Sequence, residues 1–106
     1  MINITIVFTG THPQTGQEVE ISKVERENEN DYNIDFFIVL IDRVLNEAVK
    51  AGGDKGLENL RSYHPQLSVR ISSDEDEYLR PSFHLSSTII SRLSASGASF
   101  DFDPYV

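Results

Sequence analysis

Three histidines are the first candidates for chemistry, because imidazole is the side chain that ionises near neutral pH. They are His12, His64 and His84, and no two of them have the HxH or HxxxH spacing that brings two imidazoles to one metal ion. His84 is the best placed, since it precedes a predicted helix and a final strand that carries Asp101 and Asp103. A small enzyme or metal-binding domain that uses His84 with these two aspartates is therefore one alternative.

Two further patterns resemble active-site motifs but lack essential parts. Ser86 or Ser87 with His84 and Asp101 would give a Ser-His-Asp trio, yet the sequence has no nucleophile elbow or oxyanion-hole motif. The loop 10–16 is rich in glycine and threonine, but it has no GK[ST] ending and no helix start behind it. We therefore predict no catalytic residue, no cofactor and no metal site.

Three acidic segments are the remaining candidates for a functional surface: residues 25–31, residues 74–77, and Asp101 with Asp103. If they converge in the fold, they form one negative surface with tyrosine anchors, as an inhibitor of a basic enzyme would use. Four consecutive acids at 74–77 lack the alternating ligands and central glycine of a calcium loop. The predicted partner-binding residues are Glu25, Glu27, Glu29, Asp31, Tyr32, Asp74, Glu75, Asp76, Glu77, Tyr78, Asp101, Asp103 and Tyr105.

The overall composition limits the kinds of partner. Seventeen acidic and nine basic residues give a formal net charge of −8, which repels nucleic acid and anionic lipid and attracts a basic protein. The same charge could equally serve solubility alone. The chain has no cysteine, which excludes disulfides and thiolate chemistry and suits the cytoplasm. Its longest apolar run, Phe36–Ile41, is far shorter than the ~20 residues of a membrane span, and its N-terminus is typical of a strand rather than a signal peptide.

The elements that would position these residues follow from hydrophobic periodicity. A two-residue alternation predicts strands around residues 2–8, 19–21, 67–71 and 98–102, and the polar stretch 25–31 is expected to be an exposed, mobile loop. A helical pattern runs from about Asp35 to Ala51, with its first turns deeply buried or covering an interface.

Two shorter helical segments are also predicted. Leu57, Leu60 and Tyr63 indicate a helical turn that ends before Pro65. A helix capped by Ser86 or Ser87 follows, ends at Gly97, and buries Ile89, Ile90 and Leu93.

The length of 106 residues fits a single domain, 1–106. The order β-β-α-β-α-β predicts an α+β fold, a two-layer sandwich of about four mostly antiparallel strands with two helices packed on one face.

The C-terminal third resembles a bacterial family, domain of unknown function 4279. The residues that carry the resemblance are Leu85-Ser86, Ile90, Leu93, Gly97-Ala98, Phe100, Phe102-Asp103 and Tyr105, and the stretch from the Asp35 helix to the Leu67 strand is similar in order and spacing. Family members have a longer N-terminal half with a tryptophan, whereas this chain has none, and Pro104 interrupts the closing pair. The resemblance implies an α/β domain of no known catalytic activity, similar to small proteins encoded near bacterial toxins.

Taken together, these features favour a small acidic binding protein, an immunity or antitoxin-type inhibitor of a basic toxin such as a nuclease. A nucleic-acid mimic is a second alternative, although mimics carry regularly spaced acids on helices, and these helices carry Arg43, Lys50 and Arg92. A structural subunit that dimerises through Phe36–Ile41 is a third, and a homodimer is left open.

Overall fold

A computed structural model describes residues 2–29, 34–73 and 85–103. The elements are β1 (Ile2–Thr11), β2 (Glu18–Glu29), α1 (Ile34–Gly52), a 3-10 helix (Gly53–Tyr63), β3 (Gln66–Ser73), α2 (Ser87–Ser96) and β4 (Ser99–Asp103). The predicted order is confirmed, and the helical turn expected before Pro65 is the 3-10 helix. Its path is broken at Gly56, whose φ of 57° and ψ of −127° lie outside the helical region.

The four described strands form one mixed sheet in the order β2-β1-β3-β4. Strand β1 is antiparallel to both of its neighbours, β2 and β3. Strand β4 lies parallel to β3, because α2 carries the chain back to the end of the sheet where β3 began. The predicted two-layer α+β sandwich is confirmed.

One face of the sheet is buried beneath the helices. Ile4, Ile6 and Phe8 of β1 alternate with partly exposed residues and are almost completely buried. The paired residues of β3 share their face, since Ile4 lies opposite Ile71 and Phe8 opposite Leu67. The helices complete this core with Phe37, Leu40, Ile41, Val44, Leu45, Ala48, Leu57, Leu60, Ile89 and Leu93.

Polar side chains fix how the helical layer sits on the sheet. The buried Ser22 hydroxyl donates to the Val44 carbonyl oxygen at 2.8 Å, which ties β2 to the middle of α1. Arg92 of α2 donates to Asp42 at 3.3 Å and to Asn46 at 2.8 Å, so it joins the two α-helices. These bonds hold α1 above β1 and β2.

Helix α2 begins and ends as the sequence predicts, but one residue of its buried face was assigned wrongly. The Ser86 hydroxyl accepts from the Ile89 amide at 3.2 Å, and Gly97 ends the helix with a φ of 67°. Ile89 and Leu93 are buried, whereas Ile90 is 53% exposed. The reason is geometric: residues four apart share a helix face, and Ile90 is rotated about 100° away from Ile89.

The prediction of an exposed, mobile loop over 25–31 is wrong for its first part. Strand β2 continues to Glu29, with Glu25 opposite Thr5 and Glu29 opposite Ile2. An edge strand takes its hydrogen bonds from one neighbour and can carry polar side chains where no helix covers it. Alternation of apolar residues therefore did not reveal this part of the strand.

Candidate functional site

The sheet face that points away from the helices is the surface on which several predicted site residues lie. Thr5, Val7 and Thr9 of β1 occupy this face, between the buried residues of the same strand. Because paired residues on neighbouring strands point to the same side, the register extends the surface across the sheet. We call it the open face, and its members are Thr5, Val7, Thr9, Glu18, Glu20, Lys23, Glu25, Gln66, Ser68, Arg70, Asp101 and Asp103.

The open face is arranged in rows that cross all four strands. One row contains Glu25, Thr5, Arg70 and Asp103, and the next contains Lys23, Val7, Ser68 and Asp101. Each row therefore has a charged residue on both edge strands. Glu25 lies at one edge, while Asp101 and Asp103 lie at the other, about 14 Å away for three strand spacings.

Five carboxylates and two cations give the open face a negative character. Lys23 Nζ lies 2.7 Å from Glu25 Oε1 and 3.9 Å from Glu20 Oε1, and Arg70 Nε lies 3.8 Å from Asp103 Oδ2. The hydrogen bond that Lys23 donates to Glu25, followed by the negative charge of Glu25, raises the pKa of Lys23 above its ordinary value. These are exposed pairs that contribute little to stability, and all seven charges remain accessible to a partner.

A shallow depression of about 260 Å³ lies in the middle of the open face. It is smaller than the roughly 300–1,000 Å³ pockets that enclose small ligands, which are mostly apolar. Its lining exposes apolar and polar surface in similar amounts, from the side chains of Thr5, Val7, Thr9, Glu18, Gln66, Ser68 and Arg70. A surface of this shape and polarity is suited to contact with another macromolecule.

The strand ends that adjoin the three acidic segments lie at one end of the sheet. Ile2 of β1 has Glu29 of β2 on one side and Ser73 of β3 on the other, so these two strand ends are about 10 Å apart. Asp103 ends β4 at the same end, because β4 is parallel to β3 and Asp103 lies opposite Arg70. We call this region the acidic end, defined by Glu29, Ser73 and Asp103.

The predicted partner-binding residues divide into two groups. Glu25, Asp101 and Asp103 lie on the open face, and Glu27 and Glu29 lie in strand β2 rather than in a mobile loop. The remaining partner-binding predictions fall outside the described residues, namely Asp31, Tyr32, Asp74, Glu75, Asp76, Glu77, Tyr78 and Tyr105, and so does His84 of the alternative enzyme or metal-binding hypothesis.

The other candidates for chemistry have structural roles where the structure describes them. His12 Nδ1 accepts the Gln14 and Thr15 amides in the β1–β2 loop at 3.2 and 3.3 Å. His64 ends the 3-10 helix in a left-handed conformation, with a φ of 46°. Ser86, a member of the Ser-His-Asp trio, uses its hydroxyl to cap α2.

Within residues 2–29, 34–73 and 85–103, no group of three or more histidine or carboxylate side chains is arranged to hold a metal ion. The helices described there lack the combined length and apolar character needed to span a bilayer.

Sequence reasoning missed the polar residues that fill the centre of the open face. Thr5, Ser68 and Arg70 are the solvent-facing members of alternating strands, and that alternation was visible in the sequence. What the sequence did not show is which strands are neighbours. Only the order β2-β1-β3-β4 brings these residues between Glu25 and the two aspartates.

Comparison of the chain with protein-family models, with curated proteins and with solved structures finds no match in any of the three.

Proposed function

We propose that this protein acts by binding a basic protein and inhibiting it, as a bacterial immunity protein or antitoxin neutralises a toxin. The observation that carries the proposal is the acidic end. Glu29, Ser73 and Asp103 lie within about 20 Å of one another, as the strand spacing and the rise per residue require. The acidic residues Asp31, Asp74–Glu77 and Asp103 therefore belong to segments that begin from one small region.

Charge supports a basic partner. The open face carries five carboxylates against two cations, and the whole chain has a net charge of −8. A negative surface accelerates the encounter with a cationic partner and disfavours nucleic acid. A cationic nuclease is the kind of toxin that such a surface would recognise.

The tyrosines predicted as anchors come shortly after the acidic end in the sequence. Tyr32 is three residues beyond Glu29 and Tyr105 is two residues beyond Asp103, and both fall outside the described residues. Aromatic side chains near the centre of an interface supply much of the affinity, while surrounding charges supply the speed and selectivity of association.

The open face alone is smaller than a standard interface. Ten residues of β1 and four strands cover about 33 by 15 Å, or roughly 500 Å², whereas a stable complex buries about 800 Å² on each partner. We therefore assign the binding surface to the open face together with the segments that leave the acidic end. The resemblance to the family of domains of unknown function, and action in the cytoplasm, remain parts of this proposal.

The first test is a pull-down from the lysate of the native host, carried out at 20 mM and at 500 mM salt. We expect one basic protein to be retained at low salt, to be released at high salt, and to lose its activity when this protein is added. Recovery of no basic protein, or of one whose activity is unaffected, would contradict the proposal.

Once a partner is identified, single neutralising variants locate its binding surface. Glu25→Gln, Asp101→Asn and Asp74→Asn are each expected to weaken binding by about tenfold at low salt, or about 1.4 kcal/mol. Glu58→Gln is the matched control, since it removes one exposed carboxylate from the 3-10 helix, on the opposite layer. A loss in Glu58→Gln equal to the others would mean that net charge, and not this surface, governs binding.

A further inference from the structure

The outer edge of β2 carries a second surface, which shares Lys23 and Glu25 with the open face. Strand β2 is twelve residues long and stands at one edge of the sheet, where no described element pairs with it. A groove of about 520 Å³ follows this edge, lined by residues 21–26 of β2 together with Arg43 and Glu47 of α1. The unpaired amide and carbonyl groups of a long edge strand can pair with another chain.

We propose that this groove binds a second copy of the same chain, with the two β2 strands antiparallel. The pairing between β1 and β2 is regular from Ser22 to Arg26, between two register shifts, so this stretch forms a straight segment of edge. A two-fold axis through Val24 would continue the sheet across both copies. Residues 22–26 would then pair with residues 26–22 of the second copy.

The charges along this edge complement themselves under such a two-fold axis. Lys23 of one copy would lie opposite Glu25 of the second copy, and Glu25 opposite Lys23, on the open face. On the other side of the sheet, the axis would place Val24 opposite Val24 and Ser22 opposite Arg26. Each chain thus presents a cation where its copy presents an acid.

Helix α1 adds two charged side chains to the same groove. Arg43 and Glu47 are four residues apart, so they lie on the same side of α1, and both line the groove. Because α1 packs over β1 and β2, its axis lies about 5 Å inside the proposed two-fold axis, and the two α1 helices would be about 10 Å apart. The Ser22 bond to Val44 sets the middle of α1 beside residue 22, so Arg43 and Glu47 border the interface while Lys23 and Glu25 form its complementary pairs.

Two further features of the edge favour a second copy over a strongly charged partner. Val39 precedes Arg43 by four residues on α1 and is 61% exposed, so an apolar side chain extends the same side of the helix. The groove contains three cations, Lys23, Arg26 and Arg43, and two acids, whereas the whole chain has nearly twice as many acids as bases. The residues that line the groove therefore add less repulsion between two acidic chains than the overall composition of the chain would.

The test is the mass in solution of paired charge-reversal variants. Sedimentation equilibrium of the natural chain at increasing concentration should show a transition from the 12.0 kDa monomer to a dimer of twice that mass. Lys23→Glu and Glu25→Lys each place like charges across the interface, and each should raise the dissociation constant at least about tenfold. An equimolar mixture of the two variants should restore the dimer, because every Glu at positions 23 and 25 of one chain then faces a Lys of the other.

The controls separate this proposal from loss of folding and from the proposed inhibitor function. Lys23 and Glu25 are exposed, so both variants should keep the circular dichroism spectrum of the natural chain. Glu58→Arg, which reverses a charge far from β2, should leave the dimer unchanged. A natural chain that stays at 12.0 kDa up to about 1 mM, or a mixture that stays monomeric, would overturn the proposal. Self-association is measured on this protein alone, and Asp101→Asn, on the opposite edge strand, changes only the surface for a basic partner, so failure of one proposal is distinguishable from failure of the other.

Discussion

At the scale of single residues, the ionisable side chain of His12 stabilises a loop through its contacts. His12 Nδ1 accepts amide hydrogens from Gln14 and Thr15, which requires that this nitrogen be unprotonated. Its ring also meets the Tyr63 ring edge to face, with centroids 5.8 Å apart. The imidazole thus stabilises the β1–β2 loop and packs it against the end of the 3-10 helix.

Replacement of His12 tests this role. His12→Ala removes two loop hydrogen bonds and the ring contact, and should lower the free energy of unfolding by about 1 kcal/mol. His12→Asn should restore about half of that loss, because its side-chain oxygen can accept the same two amides but cannot contact the Tyr63 ring. Urea denaturation of the three proteins measures the difference. If the alanine and asparagine variants are equally unstable, the hydrogen bonds to the loop contribute nothing.

At the scale of elements, close approach between β1 and the 3-10 helix depends on one glycine. A Cβ atom on Gly10 would lie 2.9 Å from Tyr63 Cβ and 3.3 Å from the Tyr63 carbonyl oxygen. Real Cβ atoms essentially never lie within 3.0 Å of another atom, and the Tyr63 Cβ is fixed to its backbone, so the 3-10 helix would have to move away from the sheet. The same helix carries Leu57 and Leu60 into the core.

Gly10→Ala should therefore lower the free energy of unfolding by about 1–3 kcal/mol, the usual effect of overpacking. Gly52→Ala is the matched control at the end of α1, where φ is −77° and the nearest atom to an added Cβ is 3.7 Å away. That variant should be neutral or more stable by up to about 1 kcal/mol, because alanine restricts the unfolded chain. Thermal unfolding distinguishes them, and equal midpoints would mean that the contact at Gly10 relaxes without loss.

An element could be predicted from the sequence where the residues that determine it lie within a few positions of one another. An element that forms by pairing with a distant part of the chain could not. Ser86 and Gly97 mark the ends of α2 because capping chemistry acts within one turn. The outer part of β2 has no apolar alternation, and it is a strand because it pairs with β1. Ile90 was assigned to the core because its type is apolar, although the rotation of α2 is set by Ile89 and Leu93 against the other layers.

At the scale of the whole molecule, the position of the candidate surface follows from strand order. The sequence showed acids at 25–31, 74–77, 101 and 103, but their separation along the chain says nothing of their separation in space. The order β2-β1-β3-β4, with β4 parallel to β3, brings Glu29, Ser73 and Asp103 to one end of the sheet. This arrangement rests on long-range pairings, which composition and periodicity do not encode directly.

The concentration of like charge on this sheet should make stability depend on salt. At 10 mM salt, charges interact over about 30 Å, close to the length of β1, whereas at 150 mM they interact over about 8 Å. Added salt therefore weakens repulsion between distant carboxylates more than it weakens the Lys23–Glu25 contact at 2.7 Å. We expect the melting temperature to rise by about 4–8 °C between 10 and 150 mM sodium chloride, corresponding to about 1 kcal/mol.

Asp101→Asn provides the internal comparison for this prediction. Asp101 is exposed and forms no ion pair with another residue of the described ranges, so its removal relieves repulsion without breaking a contact. The variant should melt at a higher temperature than the natural chain in 10 mM salt, and it should gain less from added salt. Calorimetry at micromolar protein concentration keeps self-association out of the comparison. A melting temperature that falls as salt is added would instead mean that the ion pairs of Lys23 and Arg70 outweigh the repulsion, and that the open face is held together by its charges.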